Sequence, residues 1–175
     1  MSNINVMVDI ETLGTAPNAV IASIGACKFD LDDDANQKIT DTFYCTISAQ
    51  DCVDNYGLIV EDETLRWWSK QNKEAFKALR KDNLLLKPAL ESFGTWFGPK
   101  TLPIWSNGAN FDQILLEWSF RAALVKVPWL PWSSRCFRTI KNLIGIKPPS
   151  REGTYHNALD DSVFQARHLL LMLKS

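Results

Sequence analysis

Two carboxylates stand two residues apart at the end of an apolar run, Asp9 and Glu11 after Ile4-Asn-Val-Met-Val8. In a strand, residues two apart point to the same side. Both acids would then face one side at the strand's C-terminal edge, where α/β sheets tend to carry their sites. A single acid there could cap a turn, but a pair aimed together has no packing purpose. Asp112 opens a helical pattern just after the short apolar run Leu102–Ser106. An acid in a first turn also suits the helix dipole, so that position keeps two readings. His156 and Asp161 lie five apart in His-Asn-Ala-Leu-Asp-Asp. Five helical residues turn through about 500°, so the two share no face if both are helical. If His156 precedes the helix, it can instead reach over the helix start towards a metal that Asp161 helps to hold. Asp160 points about 100° away and reads as a solvated or first-turn acid.

The chemistry of such a set is that of hard oxygen ligands, which suit Mg²⁺ or Mn²⁺ rather than zinc. Four carboxylates around a phosphate can hold two such ions about 3.5–4 Å apart, one activating water and the other stabilising the leaving oxygen. A neutral imidazole near that water can take its proton as general base. Clustered carboxylates repel one another, so bound cations should also stabilise the fold.

The elements needed to position these residues are readable. Ile4–Ile10 reads as a buried central strand, Ala19–Phe29 as a second and Lys38–Ser48 as a third, with Pro17-Asn18 and the acidic Asp30–Asp34 segment as the turns between them. Three strands with short connections suggest an antiparallel meander. Glu61-Asp-Glu-Thr64 looks like a helix start, and Leu65–Leu79 carries apolar residues at helical spacing. Further helices are expected at Pro88–Phe97, Phe111–Val125, Arg138–Ile144 and His156–Leu173, with a strand at Leu102–Ser106 and a turn at Asn107–Asn110. Strands first, then alternating helices and strands, give an α/β domain with a mixed sheet. With no repeat, low-complexity tract or linker, residues 1–175 read as a single domain.

Three segments carry a family resemblance: Val-Asp-Ile-Glu-Thr-Leu-Gly-Thr at 8–15, Asn-Phe-Asp at 110–112 and His-Asn-Ala-Leu-Asp-Asp at 156–161. In that order they resemble the motifs of the DEDDh 3′–5′ exonucleases of the ribonuclease-H-like superfamily. Within that group the chain is similar to the branch of phage-type exonuclease A and the mycobacterial 3′–5′ exoribonuclease. Supporting matches are 19–26, 64–71 and 135–139. The resemblance spans Val8 to about Ala166. It implies a five-stranded mixed sheet, the first three strands antiparallel, flanked by helices. It implies Asp9, Glu11, Asp112 and Asp161 as ligands of two divalent cations, Mg²⁺ or Mn²⁺, and His156 as general base. It also implies substrate contact beyond Glu11, at Thr12 and at Leu13, the latter as a wedge against the terminal base, with simple turn packing as the other reading of Leu13. Cys27 departs from the Val expected at its strand position, with no function attached. The expected activity is 3′–5′ hydrolysis of single-stranded nucleic acid to nucleoside monophosphates. The phage-type likeness implies DNA, which is the reading taken, and the mycobacterial one implies RNA or short oligonucleotides. Relatives allow a homodimer.

Seven tryptophans are a large share for 175 residues. Trp67 and Trp68 are adjacent, so on a helix one can pack inwards while the other lines a groove and stacks on bases. Trp96, Trp105 and Trp118 follow apolar periodicity and are expected in the core. Trp129 and Trp132 sit in a Pro-rich loop, where packing and partner contact are equally open. Between Trp118 and Arg151 there is no acid but seven Lys and Arg; Arg66–Lys87 holds seven more against Glu74 and Asp82. Arg135 and Arg138 are the chosen phosphate contacts, because guanidinium can grip phosphate with two bonds. Asn107 and Asn110 either position the substrate end or close their turn.

Composition narrows the alternatives. The chain carries 19 Lys and Arg against 20 Asp and Glu, a formal charge of −1. That excludes binding of nucleic acid by bulk charge, but not by a few placed cations. Setting the four candidate ligands aside leaves an excess of bases. Cys27, Cys45, Cys52 and Cys136 form no zinc spacing and read as reduced thiols. The first residues carry no signal-peptide pattern and no run is long enough for a membrane helix, so a cytoplasmic location without membrane contact is expected. The rival reading is a catalytically silent nucleic-acid-binding module, against which stands the presence of all five chemical positions.

Overall fold

The computed structural model describes residues 3–32, 39–71, 76–77 and 79–174. Its sheet has five strands in the order β3-β2-β1-β4-β5. Strand β1 (Ile4–Thr12) runs through the middle, β2 (Ile21–Asp30) pairs with it antiparallel, and β3 (Ile39–Thr46) pairs antiparallel with β2. On the other side β4 (Ile104–Ser106) lies parallel to β1, and β5 (Ser134–Cys136) parallel to β4. The sheet is therefore mixed, as expected, and β1, β4 and β5 end at the same edge. Among the described residues it is flanked by helices α1 (Ala49–Tyr56), α2 (Asp62–Trp68), α3 (Leu86–Phe97), α4 (Asp112–Ala122), α5 (Phe137–Ile144) and α6 (Ala158–Leu173).

Alternation along β1 separates two apolar layers. Val6, Val8 and Ile10 pack with Leu90, Phe93 and Phe97 of α3 and Leu116 and Phe120 of α4. Met7 packs on the opposite side with Phe137 and with Ala166, Leu169 and Leu170 of α6. Asp9 and Glu11 continue the register of Met7, so the strand's period turns both acids towards the α6 side.

Gly25 decides how closely α6 approaches. It stands opposite Asp9 in the β1–β2 ladder. A Cβ there would lie 2.1 Å from the Ala158 carbonyl carbon and 2.1 Å from the Leu159 nitrogen. Only the missing side chain lets the first turn of α6 rest on β2 beside the acids. That turn is capped by Asn157, whose side chain accepts from the Leu159 and Asp160 N–H groups at 3.1 Å each.

Several expectations change. Helix α1 was not anticipated, although its ends carry signals: Ser48 Oγ accepts from the Asp51 N–H at 3.3 Å, and Gly57 closes the helix at φ 65°. Helix α2 stops at Trp68, so the helix expected over Leu65–Leu79 breaks early; residues 72–75, which include Glu74, and residue 78 lie outside the described ones. So do Asp33, Asp34 and Lys38, parts of the expected turn and third strand. Trp118 is 47% exposed rather than in the core, because it sits on the solvent side of α4. Trp129 is buried between Phe93, Phe97 and Phe120, whereas Trp132 is 73% exposed. Trp105 is buried as expected, and its indole N–H donates to Asn5 Oδ1 at 2.8 Å. Among the described residues no helix is long and apolar enough to cross a membrane.

Candidate active site

The end of β1 and the first turn of α6 bring Asp9, Glu11 and Asp161 together. Each offers a carboxylate oxygen, and the three oxygens lie within 4.8 Å of one another. Asp112 joins from the N-terminus of α4. Its Oδ1 accepts from the Ile10 N–H at 3.3 Å, so it borders the trio without belonging to it. Gln165, one turn beyond Asp161 on α6, donates from Nε2 to Asp9 Oδ1 at 2.8 Å. Asp161 is held from two sides, by the His156 N–H to Oδ2 at 3.1 Å and by the Arg151 guanidinium to Oδ1.

Burial and mutual repulsion govern the protonation of this cluster. Burial, followed by the charges of Asp112, Glu11 and Asp161, holds the Asp9 carboxyl well above its ordinary range, and the Gln165 bond only partly opposes this. Glu11 is pushed up to about 8 by burial and by Asp161 and Asp112. Asp112 is pushed up to about 7 by burial, against the lowering influence of backbone N–H bonds and of Arg138. Oxygen donors this close together, with Asp9, Glu11 and Asp112 raised chiefly by burial, suit a hard divalent cation, which would favour their ionised forms.

His156 precedes α6, which begins at Ala158 rather than at His156 itself. Its backbone adopts φ 62°, a left-handed conformation uncommon for a residue with a side chain. The imidazole meets both tryptophans edge-on, at 5.0 Å from Trp67 and 6.0 Å from Trp68. Trp68 is buried, and its indole N–H donates to the Thr12 carbonyl at 2.9 Å, tying α2 to the end of β1. Trp67 is 43% exposed. Beside it opens a cavity of about 390 Å³, lined among others by Glu11, Thr12, Thr64, Trp67, Trp68 and Phe111.

The remaining expected substrate residues are distributed unevenly. Thr12 lines the cavity, although its hydroxyl donates to the Gly14 carbonyl at 2.7 Å. Leu13 is buried in the layer with Val20 and Leu58, which favours the packing reading over the wedge. Arg138 donates from Nη2 to the Asn107 carbonyl at 2.6 Å and acts electrostatically on Asp112. Arg135 is not brought to the acids. It donates at 2.7 Å to the Trp132 carbonyl, in the segment that enters β5 from the opposite edge. Asn110 is exposed in its turn, and Asn107 is half-buried with Oδ1 lacking a hydrogen-bond partner among the described residues. Gln165, Arg151 and Phe111 were not singled out from the sequence as site neighbours. For Gln165 a signal existed, since it stands four residues after Asp161 on one helical face.

A family model of the Rv2179c-like 3′–5′ exoribonuclease domain matches residues 4–173. No curated protein matches the sequence. Among solved structures, the fold is similar to the nuclease domain of 3′hExo, a DEDDh family member bound to rAMP, with TM-score 0.65, 15% identity and coverage of 99% of this chain and 92% of that one. It is also similar to the zinc-bound E. coli ExoI–ssDNA complex, with TM-score 0.66 and 14% identity over 99% of this chain but 41% of that one. A third similarity is to cell-death related nuclease 4, with TM-score 0.59 and 13% identity over 99% of this chain and 64% of that one. Identities this low speak for the fold, which is that of the ribonuclease-H-like exonucleases, while the family match covers nearly every residue: the chain belongs to the Rv2179c-like 3′–5′ exoribonuclease domain family and is a 3′–5′ exonuclease.

Proposed function

We propose that residues 1–175 act as a single exonuclease domain that removes nucleoside 5′-monophosphates one at a time from the 3′ end of a single strand. RNA is the first reading, supported by the description of the matched family. DNA is the second, supported by the single-stranded DNA bound to the structurally similar exonuclease I. Asp9, Glu11, Asp112 and Asp161 would hold two divalent cations, Mg²⁺ or Mn²⁺. Bound there, such ions would make an attacking water more acidic and neutralise charge gathering on the phosphate.

The chain's own groups do the rest. His156 takes the proton of the attacking water as its oxygen bonds to phosphorus. The bond from phosphorus to the 3′ oxygen of the preceding nucleotide breaks, that oxygen gains a proton, and the monophosphate leaves. Trp67 and Phe111 hold the terminal nucleoside in the cavity beside Glu11, and Arg138 draws the phosphate towards Asp112. The rim of Trp67 also limits where the imidazole of His156 can swing.

The observation that carries this reading is the trio of carboxylates, Glu11 buried and Asp9 and Asp161 half-buried, from two separate elements, with oxygens within 4.8 Å. The test is Asp9→Asn, which keeps the shape and removes the charge. A folded variant should lose nearly all hydrolysis of matched, labelled RNA and DNA strands, and EDTA should do the same to the wild type. Digestion by folded Asp9→Asn at the wild-type rate would overturn the mechanism. The ratio of RNA to DNA cleavage in the same assay decides between the two substrates.

A further inference from the structure

We propose that Asp160 is a positioning residue, which holds the backbone carrying His156 without drawing on the acids that would take up cations. The proposal rests on the exonuclease reading, in which His156 is the general base, and gives that base a support.

His156 needs one. The described residues 151–157 lie outside helices and strands, so no ladder or helical turn fixes them. His156 itself takes φ 62°, and a residue with a side chain keeps a left-handed backbone only where its surroundings hold it. On its C-terminal side the hold is Asn157, the cap of α6. On its N-terminal side two successive carboxylates of α6 reach back to the backbone. Asp161 Oδ2 accepts from the His156 N–H at 3.1 Å, and Asp160 Oδ2 accepts from the Thr154 N–H at 2.8 Å.

The two anchors differ in what else they serve. Asp161 belongs to the acid trio and also pairs with the Arg151 guanidinium through Oδ1. A cation drawn to Asp161 competes for the oxygens that hold His156 and Arg151. Successive helical residues point about 100° apart, so Asp160 is turned away from the trio and towards residues 153 and 154. Its bond to Thr154 is therefore the anchor that cation binding leaves alone.

The fit around Asp160 is close. A Cβ on Gly153 would lie 2.4 Å from Asp160 Cγ, and Gly153 takes φ 83°. The missing side chain lets this segment settle on the carboxylate, with the Thr154 N–H aimed at it. The Glu152–Arg167 ion pair ties the same segment at an exposed place, where such pairs contribute little.

The experiment uses Asp160→Ala, which removes the acceptor, Asp160→Asn, which keeps one, and Gly153→Ala, which drives the segment off Asp160 from the other side. Glu152→Ala is the control. The chain has two histidines, so the imidazole C–H resonances of His156 are identified by their loss in His156→Gln. The rings of Trp67 and Trp68, edge-on at 5.0 and 6.0 Å, should displace these resonances from those of free histidine. With Mg²⁺ present, Asp160→Ala and Gly153→Ala should move them towards the free values, and Asp160→Asn should keep them near the wild type. In hydrolysis of labelled single strands, kcat should fall about 10–100-fold in Asp160→Ala with KM nearly unchanged, since a misplaced catalytic group costs turnover rather than binding. Mn²⁺ affinity should stay at the wild-type value in Asp160→Ala, whereas Asp161→Asn should lose it. Unmoved resonances in folded Asp160→Ala, an equal shift in Glu152→Ala, or Mn²⁺ binding that falls as in Asp161→Asn would each overturn the proposal. If the wild type cleaves no strand, the exonuclease reading fails instead, and the resonances still decide whether Asp160 places His156.

Discussion

Gln165 and Asp9 are joined by a 2.8 Å hydrogen bond that crosses from α6 to the central strand. One helix thereby supplies Asp161 to the acid cluster and, a turn later, the group that orients Asp9. The bond also favours the ionised form of Asp9 against burial and the repulsion of its neighbours. Replacing Gln165 by Leu keeps much of the volume and removes the donor. We expect kcat to fall about 10–100-fold, the usual consequence of losing a group that orients a ligand, with metal affinity falling alongside. Steady-state kinetics and Mn²⁺ titration would check this, and an unchanged kcat would refute the orienting role.

The raised carboxyl groups make stability depend on pH in a definite direction. An unfolded Glu or Asp titrates near about 4. In the folded chain Glu11 is pushed up to about 8 and Asp112 up to about 7. The folded state therefore binds more protons than the unfolded state between those values, and stability falls as pH rises. The contribution is fully present below about pH 4 and is lost as pH passes through 7 to 8. In EDTA the melting temperature should drop between pH 6 and pH 9, and millimolar Mg²⁺ should reduce that drop by binding the ionised carboxylates. A melting temperature in EDTA that rises over the same interval would contradict the buried, like-charged cluster.

The acids were legible in the sequence because their signals are local. Asp9 and Glu11 share a face by strand period, and Asp161 sits in the first turn of an amphipathic helix. The central strands were legible for the same reason, as apolar runs between turn residues. Leu13 kept two readings because its fate depends on where the chain turns after Glu11, and no local pattern distinguishes a wedge from a core leucine. Trp118 was misread because periodicity assigns a face without saying whether anything covers it. Arg135 shows the same limit for charge: a basic run identifies cations, but only the sheet's direction tells which edge each one reaches. The pairing of Gln165 with Asp9 spans 156 residues and becomes visible only when α6 rests on β2.

That docking gives Gly25 a testable role. A methyl group at this position would meet backbone atoms of α6 at 2.1 Å, and backbone cannot rotate away as a side chain can. Gly25→Ala should therefore displace the start of α6, moving Asp161 and Gln165 away from Asp9. The expected cost is at least the roughly 1–3 kcal/mol of an overpacked core. Denaturant unfolding would measure it, and Mn²⁺ affinity should fall even where the variant folds. A Gly25→Ala protein with wild-type stability and wild-type metal binding would show that the close approach is unimportant.

Trp67 and Trp68 differ in exposure within one dipeptide, which lets substrate contact be tested apart from packing. Trp68 is buried and anchors the Thr12 carbonyl, so Trp68→Ala should destabilise the fold by about 3–5 kcal/mol. Trp67 is 43% exposed at the cavity beside Glu11, so Trp67→Ala should leave most stability intact. Losing one base–aromatic stack costs about 1–3 kcal/mol, which predicts weaker binding of single strands by about five- to 150-fold. Trp67→Phe should recover part of that affinity because it retains an aromatic face. Because Trp67 also packs against the His156 ring at 5.0 Å, Trp67→Ala should lower kcat as well as raise KM. Binding to the non-hydrolysing Asp9→Asn background, measured by fluorescence anisotropy, isolates the stacking contribution. If Trp67→Ala binds strands as tightly as its parent there, Trp67 does not touch the base, and its role reduces to holding His156.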